Sequence, residues 1–443
     1  MSEKSGNTGL NISVKSFITA IAVIFVLMIL TYGLTFIVPG GGIPFWKWAL
    51  SPILILGAEG NVSLIAVIIF LLVIGGVFNC LDKCGLMKYM LDTITDRFGK
   101  DRYQLLAWVT LFFMAMGAFI GSFEEAVPLV PIVVALAIRL GWDALVGLGM
   151  SLLAIGCGFS SGVCNPFTIG VAQEIAGLPM FSGIWFRLIV FVLVYALLLS
   201  FLTFYAKKIE RPLNLGSINT TFVKYKEMDK SLKYFAGIMC TGICIVLSSA
   251  VFTFLQDFTM IIVAVTFLVG GLVATNISGR GGNILRTLWN GVLGVFPAVF
   301  MILMANSIKY TLVEGNVLDT ILQGMVAVAS LLPAWSVILF IYLIVLVLNF
   351  FISSGSAMAF LVMPLLIPIA ETVGISAQLC ILAYAFGDGF SNVFYPTNPV
   401  LLIALGLADI DYGKWMKWSW KFQFANIILT SGLLLIGFMI GYQ

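Results

Sequence analysis

Apolar residues run along this chain in long continuous blocks, not in the alternation of a half-buried strand or the three-and-four spacing of a surface helix. Blocks at 17–38, 62–81, 184–205, 234–255, 259–275, 287–308 and 418–440 carry almost no charge. Each falls in the range, roughly 17–25 residues, that an α-helix needs to cross a hydrocarbon layer. Blocks 103–140 and 335–372 are about twice a single crossing, with a small, polar tip near the middle: GSFEEA at 121–126 and SSGSA at 353–357. Blocks 144–177 and 378–406 are also long, but they are interrupted by GCGFSSGVCNPF (156–167) and GDGFSNVFYPTNP (387–399). Gly and Pro stop a helical hydrogen-bond ladder, and a residue before proline, here Asn165 and Asn398, is pushed out of the α region. The pattern predicts an all-α polytopic membrane protein with two hairpins and two broken helices.

Composition agrees: 61% of the 443 residues are hydrophobic and 10% charged, with 36 Phe, 10 Trp and 44 Gly. Mean hydropathy is +1.11. No soluble domain of this size hides that much apolar surface, and a β-barrel would alternate in short strands. Net charge of +3 leaves no nucleic-acid footprint. His is absent, which removes imidazole relays, Ser-His chemistry and His metal ligands together. GFSSG (158–162) matches a nucleophile-elbow pattern, but it has neither a catalytic base nor a preceding strand, so the chain does not read as an enzyme. The seven Cys form no C-x-x-C pair and read as small buried hydrophobes. No resident cofactor is expected.

Basic residues set the orientation. Segment 206–233 carries Lys207, Lys208, Arg211, Lys224, Lys226, Lys230 and Lys233 and should be cytoplasmic. So should segments 82–102, 276–286 and 409–421 and the N-terminus, which leaves the C-terminus outside a bacterial-type inner membrane. Block 103–140 then begins and ends on one side. It is either two full crossings or a re-entrant hairpin, and arms of roughly 12–18 residues favour the hairpin. Block 335–372 dips in from the other side. The first block, 17–38, reads as a retained membrane helix rather than a signal peptide.

A repeat runs through the chain at an offset of 233 residues. Pro131 falls on Pro364, Gly141 on Gly374, Gly156 on Gly389, and Asn165-Pro166 on Asn398-Pro399. The first unit is 1–233, with hairpin 103–140, broken helix 144–177 and the linker 206–233. The second is 234–443, with a linking helix, hairpin 335–372 and broken helix 378–406. The units should be inverted, a construction of secondary transporters that puts the site near the bilayer midplane.

Unpaired backbone is tolerated at that depth only where it lines a polar cavity. The tips and breaks therefore predict one site drawn from Ser122, Glu124, Glu125, Ser160, Ser161 and Asn165 of the first unit. The second unit adds Ser354, Ser356, Asp388, Ser391, Asn392, Thr397 and Asn398, with Ser353 beside them. A carboxylate in the membrane costs about 2.5–3.5 kcal/mol on insertion scales unless it binds a cation. Glu125, Asp388, Asn165 and Asn398 are the ion-coupling candidates, for Na⁺ or H⁺, and Na⁺ is the only metal in view. Glu124 has a second reading, as the cap of the second hairpin arm. Carboxylates without Lys or Arg favour a cationic or zwitterionic amino acid as substrate. The alternative is a C4-dicarboxylate held by Ser, Thr and Asn groups and helix N-termini, with Na⁺ or H⁺ neutralising Glu125 and Asp388.

The same blocks carry a family resemblance. GSFEEAVPLVPIVVAL, Asn165-Pro166, SGSAMAFLVMPLLIPIAE and FGDGFSN with PTNPVL resemble the DcuC-like C4-dicarboxylate anaerobic carriers, nearest to the YfcC-type branch with its basic amino-acid antiporters. The resemblance implies the ion-transporter-superfamily fold, a homodimer, and a transport domain that moves as an elevator against a scaffold. In that branch the paired Glu falls on Glu124 and Glu125, and FGDGF on 386–390.

Overall fold

The computed structural model describes residues 14–38, 41–58, 62–90, 93, 101–121, 123, 127, 129–179, 181–211, 225–248, 259–317, 320, 324, 328 and 332–443. Ser122, Glu124 and Glu125, and the expectations placed on them, lie outside these residues. Every regular element among the described residues is helical. The longer ones are, in order, α1 (Val14–Thr35), α2 (Val62–Lys83), α3 (Arg102–Phe119), α4 (Val130–Arg139), α5 (Ala144–Ser161), α6 (166–175), α7 (Ile184–Ile209) and α8 (Lys226–Ser248). There follow α9 (Thr259–Ile277), α10 (Ile284–Glu314), α11 (Ala334–Asn349), α12 (Gly355–Thr372), α13 (Ala377–Asn392), α14 (Pro399–Leu407) and α15 (Tyr412–Met439). Among the described residues five helices are long and apolar enough to cross a membrane, or six if α10, bent by 40° after Pro297, counts as one span.

The block at 103–140 forms α3 and α4, and its two ends meet: Arg102 Nη1 donates to Leu140 O at 3.2 Å. Arg102 also pairs with Glu210 at the end of α7, and Arg211 N donates to Gly141 O at 3.0 Å. With ten residues, α4 is only ~15 Å long, half of a ~30 Å hydrocarbon core. The block at 335–372 forms α11 and α12, but its turn sits at 350–354, a few residues before the expected SSGSA tip, and Gly355 already opens α12.

Several helices run beyond their apolar blocks, α8 and α10 among them. α8 starts at Lys226 instead of 234 because Met228, Ser231 and Phe235 form a buried stripe through its charged first turns. Tyr89 donates to Asp229 Oδ1 at 2.5 Å there; burial, and then this bond, push the phenol up to about 12. α10 runs on to Glu314, where Lys47 of the short helix Phe45–Ala49 pairs with it.

The helices pack as two groups that interleave in sequence. In one, α2 lies between α9 and α10, and α8 and α1 flank them. Small residues set this approach: Gly75 and Gly76 face Val295 and Leu288, Gly271 faces Val77, and Asn79 Nδ2 donates to Thr287 O at 2.6 Å. In the other group α5 and α13 form the centre, and α3, α7, α11, α12 and α15 pack round them. The central crossing is reciprocal. A Cβ on Gly156 would run into the Val393 methyls, and one on Gly389 would lie 2.6 Å from both N and Cα of Ser160. Residues 156 and 389, and 160 and 393, are each separated by the offset of the sequence repeat.

That geometry makes the two glycines unequal. Gly389→Ala presses on backbone and is expected to cost about 1–3 kcal/mol, the usual range for overpacking, with no rescue by any side-chain change. Gly156→Ala presses on a side chain, so Val393→Ala should restore its loss. Thermal unfolding of the purified single and double variants measures both; full rescue of Gly389→Ala by Ser160→Gly would contradict this packing.

Candidate functional site

Both interruptions are built alike. α5 stops at Ser161 with Gly162 in left-handed conformation at φ 52°. Cys164 N then donates to Ala118 O of the first hairpin at 3.0 Å. Asn165 Oδ1 accepts from Phe167 N at 2.9 Å and Thr168 N at 3.3 Å, so it caps α6 with Pro166 next in line. In the second break Asn398 Oδ1 accepts from Val400 N at 2.9 Å and Leu401 N at 3.4 Å, and Pro399 opens α14. Proline at the first helical position lacks only an N–H that would have no partner there, and the Asn oxygen satisfies the next donors. Two caps, one in each break, thus end the two interruptions.

The hairpin tips close onto these breaks. Gly121, left-handed at φ 74°, lies so near the Asn165 amide that a Cβ would sit 2.8 Å from its Cγ. Gly355, first residue of α12, reaches both broken helices: a Cβ there would be 2.8 Å from Asp388 Oδ2, 2.8 Å from Thr168 Cγ2 and 3.4 Å from Phe159 Cζ. Tyr384 OH donates to Gly355 O at 2.5 Å and fixes this approach. Phe123, from the first tip, covers the other side of Phe159 at 6.1 Å between ring centroids. A buried carboxylate, a helix start and the first break therefore meet at one point. Asp388 is fully buried, as are Asn165 and Thr168, and both Asn165 Nδ2 and Thr168 Oγ1 are without hydrogen-bond partners among the described residues.

The other predicted residues divide. Asn349, at the end of α11, places its Nδ2 2.7 Å from Asp388 O, 2.7 Å from Ser391 Oγ and 3.0 Å from Asn392 Oδ1. Asn398 Nδ2 donates to the same Asn392 oxygen at 3.0 Å. Ser391, Asn392 and Asn398 are thus tied to one another and brace the second break. Ser160 and Ser161 donate back to Gly156 O at 2.8 Å and Cys157 O at 2.7 Å, which spends their protons on their own helix. Thr397 is buried with Oγ1 unpartnered among the described residues; Ser356 is half-buried and Ser354 exposed at the tip. Among the described residues no three Asp, Glu or Cys side chains converge on a metal-sized point.

Three contributors escaped the sequence reading besides Asn349. Thr168 falls on Leu401 in the repeat, so no internal comparison flags it; its position within the first turn after a break was the available signal. Arg187 is 1% exposed and donates Nε to Val163 O within the first break, Nη1 to Tyr442 OH and Nη2 to Phe181 O, each at 3.2 Å. Its guanidinium braces the first break from outside the point where Asp388, Thr168 and Gly355 meet; a lone Arg in an apolar block was the available signal, by its cost. On α15, Ser419, Gln423, Asn426 and Thr430 share one buried face. Trp415 Nε1 pins one end of this stripe to Val393 O at 2.8 Å, and Tyr342 OH meets Thr430 Oγ1 at 3.0 Å at the other. Spacings of four, three and four within an apolar helix were its signal.

Comparison with known proteins matches this architecture. The solved transporter YdaH of Alcanivorax borkumensis shares the fold, with a TM-score of 0.50 at 15% identity over 96% of this chain and 99% of that one. A protein of Haemophilus influenzae (strain ATCC 51907 / DSM 11121 / KW20 / Rd), uncharacterized by name, is 25% identical over 85% of this chain and 76% of its own length. The Escherichia coli (strain K12) protein provisionally named basic amino acid antiporter YfcC is 30% identical over 405 residues, 86% of this chain and 78% of that protein. Residues 48–439 match the family described as C4-dicarboxylate anaerobic carrier, DcuC. Helices fit to span a membrane, a transporter fold and a family match over nearly the whole length agree: the chain is a multi-pass membrane protein and belongs to the C4-dicarboxylate anaerobic carrier family.

Proposed function

We propose that this protein is a secondary active transporter that exchanges small organic ions, with a cationic or zwitterionic amino acid as its substrate. The observation that carries this reading is the meeting of Gly355, Asp388 and Thr168 beside an Asn-capped helix start. An amino acid has two unlike ends. Asp388, with Glu124 and Glu125, suits its cationic groups, and the N–H groups at the start of α12, which no side chain caps, suit its carboxylate. The relationship to the E. coli protein supports the same substrate class. A C4-dicarboxylate is the second reading. Arg187 favours it, since a buried cation beside the first break draws anions, and the family description points the same way. Na⁺ or H⁺ at Glu125 and Asp388 would then balance the charge.

The reciprocal contacts of Gly156 with Val393 and Gly389 with Ser160, and the matching caps of Asn165 and Asn398, support two repeats related by a two-fold axis. The basic segments support their inversion, an inner-membrane setting, a cytoplasmic N-terminus and an external C-terminus. Packing in two groups supports an elevator in which α1, α2 and α8–α10 stay fixed in a homodimeric scaffold while the site moves with the rest.

Counterflow in proteoliposomes separates the substrates. Vesicles loaded with unlabelled arginine are expected to accumulate labelled arginine, and succinate-loaded vesicles are expected not to accumulate succinate; the reverse result makes the dicarboxylate reading correct. Asp388→Asn is expected to lower arginine counterflow roughly 10–100-fold, the effect of losing a ~1.5–3 kcal/mol hydrogen bond to a charged group. Unchanged arginine counterflow in a variant that melts like the wild type would remove Asp388 from the site.

A further inference from the structure

Helices α8 and α9 touch along one line and part on their outer side. Ser231 Oγ donates to Ala274 O at 2.6 Å, and Gly242 packs on Thr266. Outside that seam lies an open groove of about 520 Å³, running from Lys233 and Tyr234 past Gly237 and Thr241 to Ile245. Its floor is apolar by construction. Thr241 donates its hydroxyl to Gly237 O at 2.9 Å and Thr266 to Ile262 O at 2.7 Å, so neither threonine leaves a proton for the groove floor. No heavy atom lies within 4 Å of a Cβ built on Gly237. Lys233 to Ile245 spans ~18 Å of helix, close to one leaflet of a hydrocarbon core that is ~30 Å thick. The groove thus has the length of one acyl chain.

Among the described residues, charge sits at one end: Lys233 is the single charged residue lining the groove, and Lys230, a turn away, places Nζ 6.0 Å from the Tyr234 ring centroid. Of the acids on the same turn, Asp229 faces Tyr89 and Glu227 does not line the groove. Two exposed lysines and an exposed phenol at the mouth of a leaflet-long apolar groove complement a phosphate headgroup. We infer that the α8–α9 groove binds one anionic phospholipid, its acyl chain on Gly237 and Thr241 and its headgroup phosphate on Lys233, Lys230 and Tyr234. This site belongs to the group of helices away from the Asp388 site.

Native mass spectrometry of the full-length protein in detergent, titrated with phosphatidylglycerol or phosphatidylcholine of equal chain length, tests it. The expected result is one phosphatidylglycerol retained in preference to phosphatidylcholine. Lys230→Gln with Lys233→Gln should weaken retention roughly 20–30-fold, at about fivefold per lysine. Gly237→Trp, whose Cβ meets no protein atom within 4 Å and whose ring would occupy the groove, should displace the lipid with both lysines intact, in a variant whose melting temperature shows it folded. Equal retention of both lipids, or retention insensitive to Gly237→Trp, overturns the inference. So does an oxidative cross-link in native membranes through Cys240 or Cys244, both exposed on α8, that Gly237→Trp abolishes, because a second copy of the chain would then occupy the groove.

Discussion

A bilayer offers no water to an interrupted helix, and everything at the centre of this protein follows from how two interruptions are closed. Each break leaves N–H groups that need acceptors. Asn165 and Asn398 supply them, each capping the helix that resumes after the adjacent proline. With the backbone satisfied locally, glycines can press hairpin tips against the breaks. Gly121 lies on the Asn165 amide, and Gly355 sits between Asp388 and Thr168. A site made this way has little freedom of shape, because glycine backbone presses directly on the Asn165, Asp388 and Thr168 side chains, and these approaches exclude even a methyl group.

The surrounding polar groups hold that shape. Asn349 gathers Asp388 O, Ser391 and Asn392, and Asn392 in turn receives Asn398, so the second break is cross-braced through side chains. Arg187 does the same for the first break from outside, through the Val163 carbonyl. These braces account for polar residues that would otherwise be costly at membrane depth. They also leave Asp388, Thr168 and the start of α12 as the groups at the point of convergence.

The sequence made the breaks legible because Asn-Pro acts locally, but both are shorter than expected: Gly156 and Gly158 lie inside α5 and Gly387 and Gly389 inside α13, so the interruptions begin only at Gly162 and Val393. Block 103–140 was legible as two arms around a small, polar tip; its arms are unequal, since α4 is too short to span whereas α3, at 18 residues, is long and apolar enough to cross a membrane. Partnership was not legible. Nothing in the string of letters says that Ser160 and Ser161 return their protons to their own helix, or that Asn392 braces Asn398. Thr168, Asn349 and Arg187 enter through long-range packing; only its place just after a break marks Thr168, and only their cost in an apolar stretch marks Asn349 and Arg187. The α15 stripe shows its spacing in sequence, but its burial depends on Trp415 and Thr430 being pinned to other helices.

The central claim is that the two breaks and the second hairpin tip form one substrate site. A cryo-electron-microscopy map of the full-length protein with the substrate selected by counterflow tests it most directly. The account predicts substrate density within about 3 Å of Asp388, against Thr168 and the first turn of α12. Density bound elsewhere, with Asp388 still sealed beneath Gly355, would contradict it.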